Sequence, residues 1–540
     1  MGHYTELEEA AYSYMSVVYC KLILSISISH VISEILTVHI PVFYFEGFFT
    51  YLYSAAIAFF LYLFCYIIPY NKKEEPSESE RSSSTSIELQ SRYQSKATLT
   101  AKAAINDHSH IGFAERIGAV VFGIGTIIFS SMNFAVVLER GVHFTKYQIH
   151  NGVNFLLQCI FTIMQIYFIC AHKKLNILRH PTFARFGLMH LVATNLCVWF
   201  GTTIRESIHD VQEYSDIGSE KESKLRSYNT WQDGSLVYVT PDSHLEDQPW
   251  NMAFRRKSTY IGNLTSKASP YLFPLTIEFS LISATVLYSM WKHIGVESHH
   301  KEEKEEYAKL DSRGSGKGFL LGSVTVMLVL VILGVFHSYG RDEDEGFTRV
   351  AIYLVDSVHV FILISSIVAT CIGISQARKL RITEEEEDAL FAMLLRMSAF
   401  GWYLYALFTL IAGTLSSSSA SQTALVSAVG IINIIQITLQ LFFIADISAR
   451  AIYLPEHVRT RPGRQVVTYL LMSNFSLWFM YTFEIAEAEA NPVHINFFGA
   501  IQWAVLLRIL LPLGIFFRFH SLVAFSEIWK ECFRVKARGY

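Results

Sequence analysis

Gly318-Phe-Leu-Leu-Gly-Ser-Val-Thr-Val-Met-Leu-Val-Leu-Val-Ile-Leu-Gly-Val-Phe-His-Ser338 contains no Asp, Glu, Lys or Arg. Coiled as an α-helix at 1.5 Å of rise per residue, a run of this length measures about 31 Å, the thickness of the hydrocarbon layer of a bilayer. Helices are the natural reading, because a single segment in lipid must satisfy every backbone amide within itself. Working outward, similar windows recur at about 14–38, 44–68, 114–137, 147–171, 186–206, 270–292, 350–374, 392–414, 422–446, 466–485 and 503–527. With 318–338 they predict twelve transmembrane helices, spans 1 to 12, in an all-α integral membrane protein.

The composition agrees. The 540 residues are 51% hydrophobic, 14% aromatic and only 17% charged, with a mean hydropathy of +0.31. A chain this apolar has to place most of its surface in lipid. A net charge of -3 provides no basic field for nucleic acid. The seven cysteines lie in or beside apolar stretches with no paired spacing in a polar loop, so they read as packing residues. Met1 to Tyr12 is polar and acidic, and span 1 is expected to serve as an uncleaved anchor.

Basic residues set the orientation, since short loops rich in Lys and Arg stay in the cytoplasm. Lys72, Lys73 and Arg81 follow span 2; Lys173, Lys174 and Arg179 follow span 4; Lys301, Lys304 and Lys309 follow span 6. Arg378, Lys379 and Arg381 after span 8, Arg459, Arg461 and Arg464 after span 10, and Lys530, Arg534 and Lys536 after span 12 continue the alternation. Both termini are therefore expected in the cytoplasm. The long loop after span 5 carries Arg255, Arg256 and Lys257 against the pattern, but long loops cross largely regardless of charge. The expected organisation is an N-terminal six-helix half, 1–293, then a charged cytoplasmic linker, 294–317, and a C-terminal six-helix half, 318–540. The first half is expected to hold a disordered cytoplasmic linker at about 71–112 and an extracellular loop at about 207–269.

The two halves align without gaps around three spans. Asn195-x-x-x-Trp199-Phe200 in span 5 matches Asn474-x-x-x-Trp478-Phe479 in span 11. Pro274-Leu275-x-Ile277-x-Phe279 in span 6 matches Pro512-Leu513-x-Ile515-x-Phe517 in span 12. Gln165-x-x-Phe168-Ile169 in span 4 matches Gln440-x-x-Phe443-Ile444 in span 10. Because each half has an even number of spans, the repeat is parallel, and its pseudo-symmetry axis is expected along the membrane normal.

Ionisable residues inside a membrane cost a few kcal/mol each and mark ion or substrate paths by default. Glu278, shortly after Pro274, fits proton exchange or a protonated acid hydrogen-bonded between helices. His520 aligns with Ile282, one turn beyond Glu278 on the same face, so acid and imidazole are expected near each other if spans 6 and 12 meet. Arg518 needs a counter-charge, for which Glu206, Asp446 or Glu484 are candidates. Asp446 also stands four residues before Arg450, a spacing that permits an ordinary intrahelical salt bridge. Glu206 and Glu484 lie near the expected outer helix ends. Asp356 with His359, and Glu34 with His30, each share nearly one helix face. Gln165, Gln440, Asn195 and Asn474 are expected either to line a path or to join helices. No phosphate-binding loop, HExxH metal motif, nucleophile elbow, potassium filter or arginine ladder occurs, so a pump, hydrolase, potassium pore or voltage sensor is unsupported and no cofactor is expected.

The stretch Arg179-His180-Pro181 through Gly187-Leu188-Met189-His190 to Asn195-Leu196-Cys197 resembles the otopetrin family of proton channels. So do Phe517-Arg518-Phe519-His520-Ser521 with Glu527-Ile528-Trp529, Ile277-Glu278 and Ile444-Ala445-Asp446, and the likeness covers most of the chain outside its loops. The resemblance implies a proton-selective channel of the plasma membrane, gated by extracellular pH and assembled as a homodimer. It implies functional roles for Glu278, Asp446, His520, Arg518 and Glu206, and a sterol-like lipid between the halves. Phe279 departs from the family, whose members usually have tyrosine after the glutamate. A proton-coupled secondary transporter and a non-conducting membrane scaffold remain as alternative classes.

Overall fold

The computed structural model describes residues 2–36, 42–67, 113–139, 146–171, 180–204, 260–292, 294, 314–339, 345–382, 389–417, 420–452, 455–485 and 492–533. Among them are twelve helices long and apolar enough to cross a membrane. They are α1 (Gly2–Leu36), α2 (Val42–Tyr62), α3 (Phe113–Glu139), α4 (Lys146–Ala171), α5 (Pro181–Ile204) and α6 (Tyr260–Lys292). They continue as α7 (Gly316–Tyr339), α8 (Glu345–Ala377), α9 (Ala389–Leu415), α10 (Ala420–Ser448), α11 (Arg464–Met480) and α12 (Ala500–Glu531). Each predicted span has its helix. The linker predicted at 71–112 lies outside the described residues, as does most of the loop predicted at 207–269. α1 and α6 both begin about ten residues before the predicted spans, at Gly2 and Tyr260. Helical hydrogen bonding runs on through polar residues that an apolar window rejects.

The chain divides into two compact units. The first comprises Met1–Phe200 and Phe279–Tyr307; the second comprises Gly201–Glu278 and Ala308–Tyr540. In the first unit α2 packs on α1 and α4, and α3 packs on α4. In the second, α7 packs on α8 and α11, α9 on α10 and α12, and α8 on α10 and α11.

Burial is inverted relative to a water-soluble protein. Leu320, Leu321, Val324, Met327 and Val331 of α7 all point outward, more than half exposed, and only 22% of that helix's apolar window is buried. An outward row of aliphatic side chains is stable against lipid and not against water. In α5 and α11, whose sequences match, 67% of the window is buried, and for the matched α6 and α12 the shares are 61% and 78%.

α7 approaches α11 closely because two glycines face it. A Cβ at Gly318 would run into the backbone carbonyl oxygen of Gln465, and one at Gly322 into Met472. The spacing Gly318-x-x-x-Gly322 is the small-residue pattern that lets membrane helices pack backbone to backbone, where van der Waals contact does the joining. A carbonyl oxygen cannot swing away as a side chain does. Gly318→Ala should therefore destabilise the folded protein by about 1–3 kcal/mol through overpacking. Gly334→Ala on the same helix, where nothing lies within 4 Å, is the control. Equal melting of the two variants in detergent would refute this account of the α7–α11 joint.

Beyond the ends of α8 and α10, Arg381 and Ile382 pair antiparallel with Ala451 and Arg450 in a two-residue ladder. Arg450 holds the same corner, donating to the Leu380 carbonyl at 3.1 Å and to Asp446 at 2.7 Å. Asp446 thus makes the i,i+4 salt bridge its spacing allows, across the end of α10, and Arg518 receives no counter-charge from it.

Candidate functional site

The second unit contains a connected set of buried polar side chains. Asn474 on α11 and Gln440 on α10 exchange amide bonds, Gln440 Nε2 donating to Asn474 Oδ1 at 3.0 Å and Asn474 Nδ2 to Gln440 Oε1 at 3.1 Å. Asn474 also donates to the Leu470 carbonyl at 2.8 Å, which fixes its amide orientation, since a carbonyl only accepts. One turn earlier on α10, Gln436 donates to Gln440 Oε1 at 2.8 Å and accepts from Arg518 of α12, also at 2.8 Å.

Arg518 is fully buried. Among the described residues it meets no carboxylate; its guanidinium lies 5.9 Å from the Trp402 ring, 5.6 Å from Tyr481 and 5.4 Å from Phe517. Aromatic faces carry partial negative charge and attract a desolvated cation by about 2 kcal/mol each at best. Three rings and one amide oxygen thus stand where a counter-ion was expected. Tyr481 opens a π-helical turn, Tyr481–Ile485, and its hydroxyl is 2.6 Å from His359 Nε2 on α8. Such turns recur where a helix end is reshaped for function. Glu484 belongs to the same turn.

The first unit repeats part of this set. Gln165 of α4 and Asn195 of α5 exchange amide bonds, both 2.9 Å, and Asn195 donates to the Leu191 carbonyl at 2.8 Å. The four amides matched by sequence therefore form two reciprocal pairs, each internal to its own half.

Glu278 is 1% exposed, and neither carboxyl oxygen has a hydrogen-bond partner among the described residues. It makes no hydrogen bond to His520. His520 is buried with its ring 3.9 Å from that of Phe516. Glu46, another buried carboxyl, is bound quite differently: Asn154 donates to its Oε2 at 2.5 Å and to its backbone oxygen at 2.9 Å, while Thr50 joins Asn154 to His150. Glu206 lies outside the described residues. Of the predicted residues, then, Gln440, Asn474 and Arg518 meet in one network, Gln165 and Asn195 in another, and Asp446 stands apart with Arg450. Gln436, His359, Trp402 and Tyr481 complete the second-unit network and were not singled out as its members. Gln436 had a visible signal, an amide one turn before Gln440 on an otherwise apolar helix.

Preceding α12, the short helix Pro492–Phe498 lays His494 flat on Trp503, centroids 4.3 Å apart. Burial pushes the His494 imidazole down to about 4. The unfolded segment, with an ordinary histidine near 6.5, binds a proton that the docked segment refuses. Docking is therefore fully favoured above about pH 6.5 and weakens as pH falls toward 4. Amide protection across 492–503, taken relative to the intrinsic exchange rate at each pH, should fall over that interval in the wild type and stay level in His494→Phe. Protection that ignores pH in both proteins would contradict this.

Twelve helices long and apolar enough to cross a membrane, with ionisable and amide side chains buried within each unit, define a polytopic membrane protein. The chain belongs to the otopetrin family, whose model, described as Otopetrin, matches residues 115–519. It is 29% identical to Proton channel OtopLc of Drosophila melanogaster over 98% of its own length, while spanning only 36% of that relative. It is 26% identical to Proton channel OTOP2 of Mus musculus, covering 77% of this chain and 81% of that one. Proton channel OTOP1 of Rattus norvegicus is 21% identical, with 70% and 72% covered.

Proposed function

We propose that this protein is a proton-selective channel of the plasma membrane that conducts in response to extracellular acid, and that it catalyses no reaction. The carrying observation is Glu278, a buried carboxyl without a hydrogen-bond partner among the described residues, in a family whose relatives are named proton channels. A permeating proton needs groups that accept and release it, and a carboxyl in apolar surroundings does both. His520, Asp446, Glu206, Arg518 and Glu484 are proposed to line or gate the path with Glu278. The amide pairs Gln165–Asn195 and Gln440–Asn474 each hold two helices of their own unit in register. The working form is proposed to be a homodimer with both termini cytoplasmic and its halves related about the membrane normal; a sterol-like lipid is proposed between the halves.

Whole-cell recording tests the proposal. External acid should evoke an inward current whose reversal potential follows the proton gradient and ignores sodium and chloride. Saturable uptake of a solute driven by protons would indicate a transporter instead, and silence at every pH in protein present at the surface would indicate a scaffold.

A further inference from the structure

Three side chains able to pass a proton meet in the first unit, apart from Glu278 and both amide pairs. The Tyr19 hydroxyl on α1 lies 2.9 Å from His190 Nδ1 on α5 and 3.3 Å from the Tyr51 hydroxyl on α2. The other ring nitrogen of His190, Nε2, lies 3.1 Å from the backbone oxygen of Leu52. A carbonyl only accepts, so Nε2 carries the proton of the neutral ring and Nδ1 is its acceptor. Tyr19 must then donate to Nδ1, which leaves its oxygen to accept from Tyr51. One backbone carbonyl thus sets the direction of every hydrogen in the chain. The ends differ in burial, Tyr51 lying at the surface of the unit at 49% exposed and His190 inside it at 5%.

We infer that Tyr51, Tyr19 and His190 form a proton relay in the first unit, a route distinct from Glu278; the inference rests on the channel reading above. In one transfer, hydronium gives a proton to the Tyr51 oxygen while Tyr51 passes its own to Tyr19 and Tyr19 passes its own to His190 Nδ1. Water is left behind, both phenols are restored, and the ring becomes imidazolium with Nε2–H still on Leu52. Release of the Nε2 proton to another water leaves the neutral ring protonated on Nδ1, and a flip of the imidazole together with rotation of the hydroxyls resets the chain. Phenol and imidazole each offer a donor and an acceptor at one site, which is what relay by exchange requires.

Several other titratable groups stand on the surrounding elements. Cys20 and Lys21 flank Tyr19 on α1. On α2, Glu46 is taken up by Asn154, and on α4 His150 is bonded to Thr50. On α5, Arg185 donates to the Ile294 carbonyl and Cys197 faces the Ile23 carbonyl. The His190 ring itself is bordered by the Tyr19 and Tyr51 rings, with centroids 6.1 and 5.8 Å away.

Acid-evoked currents from Tyr19→Phe, His190→Gln and the double variant test the relay, each normalised to surface protein and recorded in both H2O and D2O. Each single variant should lower the current several-fold and alter its pH profile and its H2O/D2O ratio. The double variant should lose no more than the worse single one, because both break the same chain. Tyr51→Phe, at a half-exposed position that tolerates the change, should act in the same direction and remains informative if His190→Gln fails to reach the surface. Wild-type amplitude, pH profile and isotope ratio in Tyr19→Phe and Tyr51→Phe would overturn the relay. A wild-type protein without proton current would instead overturn the channel reading.

Discussion

Glu278→Gln should remove most of the acid-evoked current while leaving the protein folded and at the cell surface. Both expectations follow from the same geometry. The carboxyl oxygens make no hydrogen bond among the described residues, so an amide of nearly the same shape breaks no partner when it takes their place. A buried polar group costs free energy mainly when a bond is lost, and here none is. What changes is the chemistry, since an amide does not exchange its proton for conduction whereas a carboxylic acid does. Glu278→Asp, which keeps the acid and shortens its reach, should retain part of the current. Glu46→Gln provides the contrast, because it exchanges an oxygen that accepts from Asn154 for a second donor and should lower stability. Near wild-type current from Glu278→Gln at normal surface density would assign Glu278 to packing alone.

The largest stability effect is expected at Gln436. Its amide oxygen accepts from Arg518, and with the amide removed the fully buried guanidinium loses that bond and keeps Tyr481 and the aromatic faces. Leaving a charged donor unsatisfied costs about 2–3 kcal/mol, more than the ~0.6 kcal/mol typical of a single interhelical hydrogen bond in lipid. Gln436→Leu should therefore melt well below the wild type in detergent. Adding Arg518→Met should recover much of the loss, because the penalty belongs to the orphaned charge and not to the missing bond. If Gln436→Leu melts like the wild type, or if the second substitution adds to the damage, the rings alone suffice to hold the cation.

The helices were legible because lipid imposes a simple rule, a long run without charge, and Gly318–Ser338 obeys it outright. Their ends were less so: α1 and α6 extend through polar turns in which hydrogen bonding within the helix continues after hydropathy has fallen. The amide pairs were half legible. Matching Gln165 with Gln440 and Asn195 with Asn474 marked the four residues, yet nothing in one dimension showed that the members of each half bond to one another. Partners such as Arg518 and Gln436, 82 positions apart, or Tyr19 and His190, 171 apart, share no local spacing, and only the packing of helices brings them together. The expectation of an acidic partner for Arg518 followed from Coulomb's law and missed the aromatic alternative, since ring faces carry no formal charge to count.

The two amide pairs also bear on how the chain came to be. Each closes within its own half, which is what two copies of one six-helix ancestor that already had the joint would show. The residues that set the halves apart changed in company. In the alignment that pairs Gln165 with Gln440 and Pro274 with Pro512, the position matching Gln436 is Phe161 and the position matching Arg518 is Ser280. One copy has both the cation and its acceptor, and the other has neither. The first half is thus a natural version of the double substitution, kept within the same molecule as the original.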